Sequence, residues 1–209
     1  MKRSIIGFFM LICVLTLNSC IKKIGGCTDS DAINYNSDAN EDDGSCAYPP
    51  TFTIGQSYQG GYIAYLLQQG DLGYDVNVKH GLIAAPYDQN IASWGCVGTT
   101  IGGTSTTFGT GPVNTTAIVN VCSEAGIAAR LCNDLLVGGY GDWYLPSLDE
   151  LNKLYINKIA IGGFTSNAYW SSSEYDEHTA YKLFFSDGSF SAQPYNKSSV
   201  TYVRAVRTF

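Results

Sequence analysis

The sequence predicts an α+β fold with antiparallel strands, and three observations carry that prediction. Apolar and polar residues alternate through 168–175, 179–190 and 201–209, the period of a half-buried strand. Between 114 and 136 the period becomes helical, with a break near Gly126 that predicts two short helices or one kinked one. Ser147 and Glu150 then form an S-x-x-E capping box ahead of Leu148, Leu151, Leu154 and Tyr155, the start signal and buried face of a further helix.

The chain begins "MKRSIIGFFMLICVLTLNSC", a positive pair followed by an apolar run from Ser4 to Leu17, which is the layout of a signal peptide. The run is too short to span a bilayer, which takes roughly 20 apolar residues. "LNSC", residues 17–20, resembles a bacterial lipobox, in which the cysteine becomes the first mature residue and carries lipid. That resemblance implies lipidation at Cys20 and a membrane partner through it. Ile21, where the sorting rule for inner-membrane retention uses Asp, favours the outer membrane, with the protein facing the periplasm or the exterior.

Residues 27–46, "CTDSDAINYNSDANEDDGSC", form an acidic segment bounded by two cysteines. Asp29, Asp31, Asn36, Asp38, Asn40, Asp42 and Asp43 supply the oxygen-rich side chains from which short loops build calcium sites. Two readings fit equally: a calcium site, or a solvated acidic spacer closed by one disulfide, which stabilises a loop of this size by about 3 kcal/mol. Like charges this close repel unless a cation or solvent screens them. "AYPPTF", 47–52, reads as a stiff linker, so the sequence places a domain boundary near residue 50.

In the main domain, 51–209, the segments 60–67 and 81–85 have strand composition, and the glycine- and threonine-rich stretch 95–114 is too poor in large apolar residues to be core. Asp149 and Glu150 are accounted for by helix initiation, where negative charge is favourable, and a first-turn position seldom buries an acid. "SDGS", 186–189, signals a hairpin with Asp-Gly at its centre. In "TYVRAVRTF" strand alternation sends Arg204 and Arg207 to opposite faces, so one of them must find a carboxylate inside, with Asp142 and Glu174 as candidates.

Loss of residues 1–19 would remove two positive charges and leave ten Lys and Arg against eighteen Asp and Glu, which argues against nucleic acid as a partner. Cys13 leaves with the signal peptide, and Cys20 is the acylation site. Cys27 and Cys46 flank one short segment and pair with each other. Cys132 falls on the helical stripe of Ile127, Ala128, Leu131 and Leu135 and reads as a buried small hydrophobe, which leaves Cys96 with Cys122 as the second bridge.

"GYGDWYLPSLDEL", "YWSSSEYDEHTAYKLFFSDGSF" and "YVRAVR" follow one another in the order and spacing of the C-terminal domain family of the Legionella collagen-like adhesin. Its pattern runs D-W-R-L-P-S/T-x-x-E-L, Y-W-S/T-S-S/T-E, A-W-x-x-x-F-x-x-G and Y-V-R-x-V-R, and the resemblance covers about residues 56–209. Tyr144 stands where the family usually has Arg, and Tyr181 where Trp is common. The acidic segment is similar to thrombospondin type 3 calcium repeats. The resemblance implies a C-type-lectin-like domain, a small twisted antiparallel sheet with two or three helices, in which "GGYIAYLL" lies beside "TYVRAVRT" and Trp143, Leu145 and Pro146 are scaffold.

Function has to be argued from sites, because this fold carries both binders and enzymes. Formylglycine-generating relatives use a cysteine pair near the C-terminus, and no cysteine follows Cys132. His80 and His178 are the two histidines, without a recognisable nucleophile partner or a zinc-ligand cluster. "QPYN", 193–196, lacks the acid of a calcium-dependent sugar loop. What remains is a presented surface of Tyr175, Asp176, Glu177, His178, Gln193, Tyr195, Asn196 and Lys197, an aromatic, amide and charged mixture suited to recognition or simply to a wet loop pair. The expectation is a lipid-anchored binding or adhesion protein without catalytic residues, its ligand a glycan, a matrix component or a protein. The alternatives are an enzyme of unknown reaction on the same fold and a structural component of a surface assembly.

Overall fold

The computed structural model describes residues 22–186 and 194–209. The chain divides into two compact units that meet between Thr51 and Phe52. The signal segment, Cys20, the Asp-Gly of "SDGS" and Gln193 lie outside the described residues. No described helix is long and apolar enough to cross a membrane.

In the first unit, β1 (Gly25–Gly26) pairs in parallel with β2 (Glu41–Asp42), and Cys27 is bonded to Cys46. Side-chain oxygens of Asp29, Asn36, Asp42 and Asp43 each accept a backbone N–H two residues on, which is the local turn chemistry of Asx residues. With Cys27 and Ala32 as its buried apolar residues, this unit is held by turns and one crosslink more than by a core.

The second unit is mixed α and β. It runs β3 (Ser57–Tyr58), β4 (Gly61–Leu66), β5 (Gly81–Ala84), β6 (Ile91–Ala92), α1 (Gly111–Val121), α2 (Ala128–Asn133), α3 (Leu148–Ile156), α4 (Lys158–Ile161), β7 (Ala168–Glu174), β8 (Thr179–Phe184), β9 (Pro194–Asn196), β10 (Thr201–Tyr202) and β11 (Val206–Thr208). Two sheets form, in the orders β11-β5-β4-β3 and β6-β10-β7-β8-β9. All described pairings in them are antiparallel except β10 with β7.

The expected contact between "GGYIAYLL" and "TYVRAVRT" is corrected: β5 lies between them, with Ala84 opposite Tyr62 on one side and Val206 on the other. The reason is visible in composition. Gly81–Ala84 is buried at every position and suits a central strand, whereas β4 has half-exposed tyrosines at 62 and 65.

Helices α1 and α2, one on each side of Gly126, pack with Trp94, Trp143 and Trp170 in one part of the core. Helix α3 buries Leu148, Leu151 and Leu154, the last two against Tyr169, Leu183 and Phe185 in the other. Ser147 Oγ accepts the Glu150 N–H, and Glu150 accepts the Ser147 N–H at 2.7 Å, completing the capping box. The Pro146 corner is fixed to β7, whose Ser172 N–H donates to the Pro146 carbonyl and whose Ser173 Oγ accepts from the Leu148 N–H.

The strand alternation predicted for 201–209 does not hold, because residues 203–205 leave the ladder. The Val203 N–H donates to Asn90 O, and the Ala205 N–H donates to Gln89 Oε1. Both arginines are therefore buried. Arg207 reaches Asp142 as expected, but Arg204 pairs with Asp88 rather than with either candidate.

Candidate functional site

Strand pairing brings two of the predicted recognition segments together. Thr179 lies opposite Asn196 and Ala180 opposite Tyr195, while the Lys197 N–H donates to the His178 carbonyl. The turn from Tyr175 to His178 is locked by Asp176, whose Oδ1 accepts from the N–H groups of His178 and Thr179 and from the Thr179 hydroxyl. These bonds hold the Asp176 carboxyl below the usual aspartate range. Tyr175 is 58% exposed and meets Tyr181 edge to face, with ring centroids 5.6 Å apart. The His178 ring approaches Glu177 at 3.5 Å, both side chains being more than half exposed. The Asn196 side chain is turned inward on its own loop, accepting from Ser198 N–H and Oγ. Tyr195 is half-buried, with the Lys182 ammonium 3.8 Å from its ring centroid.

Lys197 is corrected. It was expected on the presented surface, and instead its side chain is 0% exposed. Its Nζ donates to Glu174 Oε1 at 2.6 Å and to Thr99 O at 2.9 Å, and lies 4.7 Å from the Trp94 ring centroid. Glu174 in turn accepts the N–H groups of Ile101 and Gly102. Buried charge survives only when paired and hydrogen-bonded, and this pair draws its partners from the glycine- and threonine-rich loop. The loop is further tied down by the Cys96–Cys122 disulfide and by the Gly98 N–H donating to Glu177 O. The segment expected to be plain surface thus forms the wall on which the Tyr175–His178 turn rests. Cys132 is unpaired and fully buried, as expected, and burial pushes its thiol far above the normal range.

In the acidic segment, the Asp29 carboxylate also accepts from Tyr48 Oη at 2.6 Å, which holds it below the ordinary aspartate range. Asn40 accepts from the Ile24 N–H and donates to Lys22 O. The oxygens of Asp29, Asn36, Asn40, Asp42 and Asp43 thus have local partners, while neither the Asp31 nor the Asp38 carboxylate is among the acceptors in these turns. Among the described residues, three or more His, Cys, Asp or Glu ligand atoms lie within 4.8 Å of one another only at Cys96, Cys122 and Glu124, where two of the three are a disulfide.

Glu150 departs from expectation. It caps α3 as read from the sequence, yet it is 0% exposed, because α1 and the preceding loop fold over the helix start. Its Oε1 accepts from the Gly109 N–H and the Tyr144 hydroxyl, each at 3.2 Å. The absence of a side chain at Gly111 is what admits it, since a Cβ there would stand 2.3 Å from Glu150 Oε2. Glu150 also lies at the floor of a cavity of about 490 Å³ whose walls include His80, Leu72, Phe108 and Phe209, whereas Trp143 and Asp149 are elsewhere. The alternation of Leu72, Tyr74, Val76 and Val78, all exposed, was the sequence signal available for this region.

Burial raises the Glu150 carboxyl above the ordinary glutamate value of 4.5, opposed by its hydrogen bonds to Ser147, Tyr144 and Gly109. The folded state then keeps a proton that the unfolded chain releases, so this residue's contribution to stability falls as pH rises from that value through the folded one. Glu150→Gln should remove that slope at a constant cost, since Gln also completes a capping box. The check is the wild-type minus variant difference in urea midpoint across about pH 4 to 8. A difference independent of pH would show that Glu150 ionises as it does in the unfolded chain.

A family model described as the Lcl C-terminal domain matches residues 96–207, more than half of the 209-residue chain. The chain belongs to the Lcl C-terminal domain family. The matched region contains the Trp143–Pro146 corner, the Tyr175–His178 turn, the Glu174–Lys197 pair and both buried arginines. Within the Lcl C-terminal domain the motif residues Trp143, Leu145 and Pro146 are buried scaffold. No curated protein matches the chain.

Proposed function

We propose that the protein is a lipid-anchored adhesion or binding protein of the cell envelope, tethered through Cys20 at the outer membrane. Ligand contact falls to the Tyr175–His178 turn with Tyr195 and Asn196 beside it. The observation that carries this reading is the contrast at one place. A buried ion pair and a disulfide fix the base of the turn, while Tyr175, Glu177 and His178 project from it. Rigid support under exposed aromatic and polar side chains reduces the ordering cost of binding. Membership of the Lcl C-terminal domain family supports an adhesin-like role.

The reading without catalysis is supported by the setting of His178. His178 stands on an open turn beside Glu177, with both side chains more than half exposed. The acidic segment is offered as either an accessory calcium site or a solvated spacer, and binding with and without calcium separates the two.

Full-length protein lacking only residues 1–20 should bind a subset of a glycan and matrix-protein array, probed with and without calcium. Tyr175→Ala combined with His178→Ala should reduce that signal about tenfold or more, as loss of a central aromatic contact does, while Asp149→Asn leaves it unchanged. Equal binding by the double variant and the wild type would refute the assignment of the turn.

A further inference from the structure

The cavity beneath the loop from Leu67 to His80 is separate from the Tyr175–His178 turn, and its chemistry is more restrictive. Its size, about 490 Å³, is in the range that takes a small organic molecule. Leu67, Leu72, Phe108, Pro112 and Phe209 make its surface largely apolar. Leu72 is 75% exposed at the lip, an apolar side chain that an occupant would cover.

Three polar side chains line the cavity, His80, Glu150 and Thr208, and the first two restrict what it can take. His80 Nδ1 lies 3.0 Å from the backbone oxygen of Phe209, an atom that only accepts, so Nδ1 carries the proton. In the neutral ring Nε2 is then a bare acceptor. At the floor, Glu150 accepts from Ser147, Gly109 and Tyr144, three of the roughly four positions a carboxylate offers. Toward an occupant His80 Nε2 is an acceptor and Glu150 a buried acid already engaged by three donors, while the Thr208 hydroxyl can turn either way. An occupant with an acceptor head would leave the lone pair of His80 Nε2 unpaired, whereas a donor head would satisfy it. The neighbouring cation, Lys153, is directed at the Tyr65 hydroxyl, 3.3 Å away.

We propose that this cavity is a binding site for a small molecule with an apolar ring and a hydrogen-bond-donating head, an aryl alcohol or arylalkylamine, its ring among Leu72, Phe108 and Phe209 and its head on His80 Nε2. The site is independent of the adhesive surface.

The test compares benzylamine, benzyl alcohol and benzoate, which share one ring and differ in head, by NMR titration of the full chain without residues 1–20. All three probes are compared at one pH. Saturable shifts confined to residues around Phe108, His80 and Phe209 are expected for the two donors. Benzoate should bind at least about tenfold more weakly. His80→Phe should erase the discrimination among heads while ring binding persists, and Leu72→Trp, at an exposed lip position that folding tolerates, should weaken all three. Benzylamine binding above benzyl alcohol assigns a cationic ligand, and equality assigns a neutral one. Benzoate binding as well as benzylamine, saturable shifts elsewhere, or no saturation by any probe would overturn the proposal.

Discussion

Replacing Lys197 with alanine is expected to destabilise the protein by about 3–5 kcal/mol, the cost of leaving one charge of a buried pair uncompensated. Its side chain is 0% exposed and that of Glu174 is 6% exposed, so water cannot take over the lost partner. The effect should be local before it is global. Ile101 and Gly102 donate to Glu174, and Thr99 accepts from Lys197, so their amides and those of their neighbours should lose hydrogen-exchange protection first. Lys197→Met paired with Glu174→Leu should recover much of the stability, because an apolar pair of similar volume needs no desolvation. Urea midpoints of the two single variants and the double variant give the coupling directly. A loss under about 1 kcal/mol for Lys197→Ala, the value of an exposed pair, would mean that water reaches the site.

Arg204→Ala should be of similar size, about 3–5 kcal/mol, for a related reason. The guanidinium is fully buried and forms a node. It donates to Asp88 Oδ1 from Nε at 2.7 Å, to Ala85 O at 3.1 Å and to Gly163 O, and its central carbon lies 4.1 Å from the Phe164 ring centroid. Removing it leaves Asp88 with the Tyr169 hydroxyl and strands two backbone carbonyls. Arg204→Lys should recover little, since one ammonium cannot reproduce a planar fork that serves three acceptors. Thermal or urea unfolding of the two variants decides this. If lysine restored wild-type stability, the geometry of the fork would be irrelevant and only the charge would matter.

Arg207 makes a useful contrast. It is bidentate to Asp142, at 2.7 and 2.8 Å, and holds that carboxyl below the ordinary aspartate value. Asp142 is 56% exposed, so solvent screens the pair, and what stabilisation it gives is lost only as pH falls through the depressed value. Two arginines three residues apart in one motif thus differ in what their loss should cost, because one of the two acids is wet.

Local signals were legible wherever the relevant neighbours are close in sequence. The capping box of Ser147 and Glu150, the break between α1 and α2 at Gly126, the apolar face of α3 and the burial of Cys132 could all be read from spacing alone. Cys27 with Cys46 was suggested by their flanking one short segment, while the structure selects Cys122 rather than Cys132 as the partner of Cys96. What failed did so through distant partners. Lys197 read as a surface residue because "YNKSS" is polar, and nothing in that stretch announces Glu174, 23 positions earlier. Asp88 was missed for Arg204 across 116 positions. Glu150 was correctly read as a cap, but its burial depends on Gly109 and Gly111, about forty residues away.

By itself the sequence determined the mixed α and β composition, the helix that begins at Ser147 and the family to which the domain belongs. These rest on short-range periodicity, backbone capping and residue identity, which act within one or two turns of chain. Tertiary structure alone decided the order of the strands, which acids neutralise Arg204 and Lys197, and the closing of Phe108, His80 and Phe209 around one cavity. Those outcomes are settled by burial, because a charge or an apolar face has no fixed partner until folding removes the water that would otherwise serve as one.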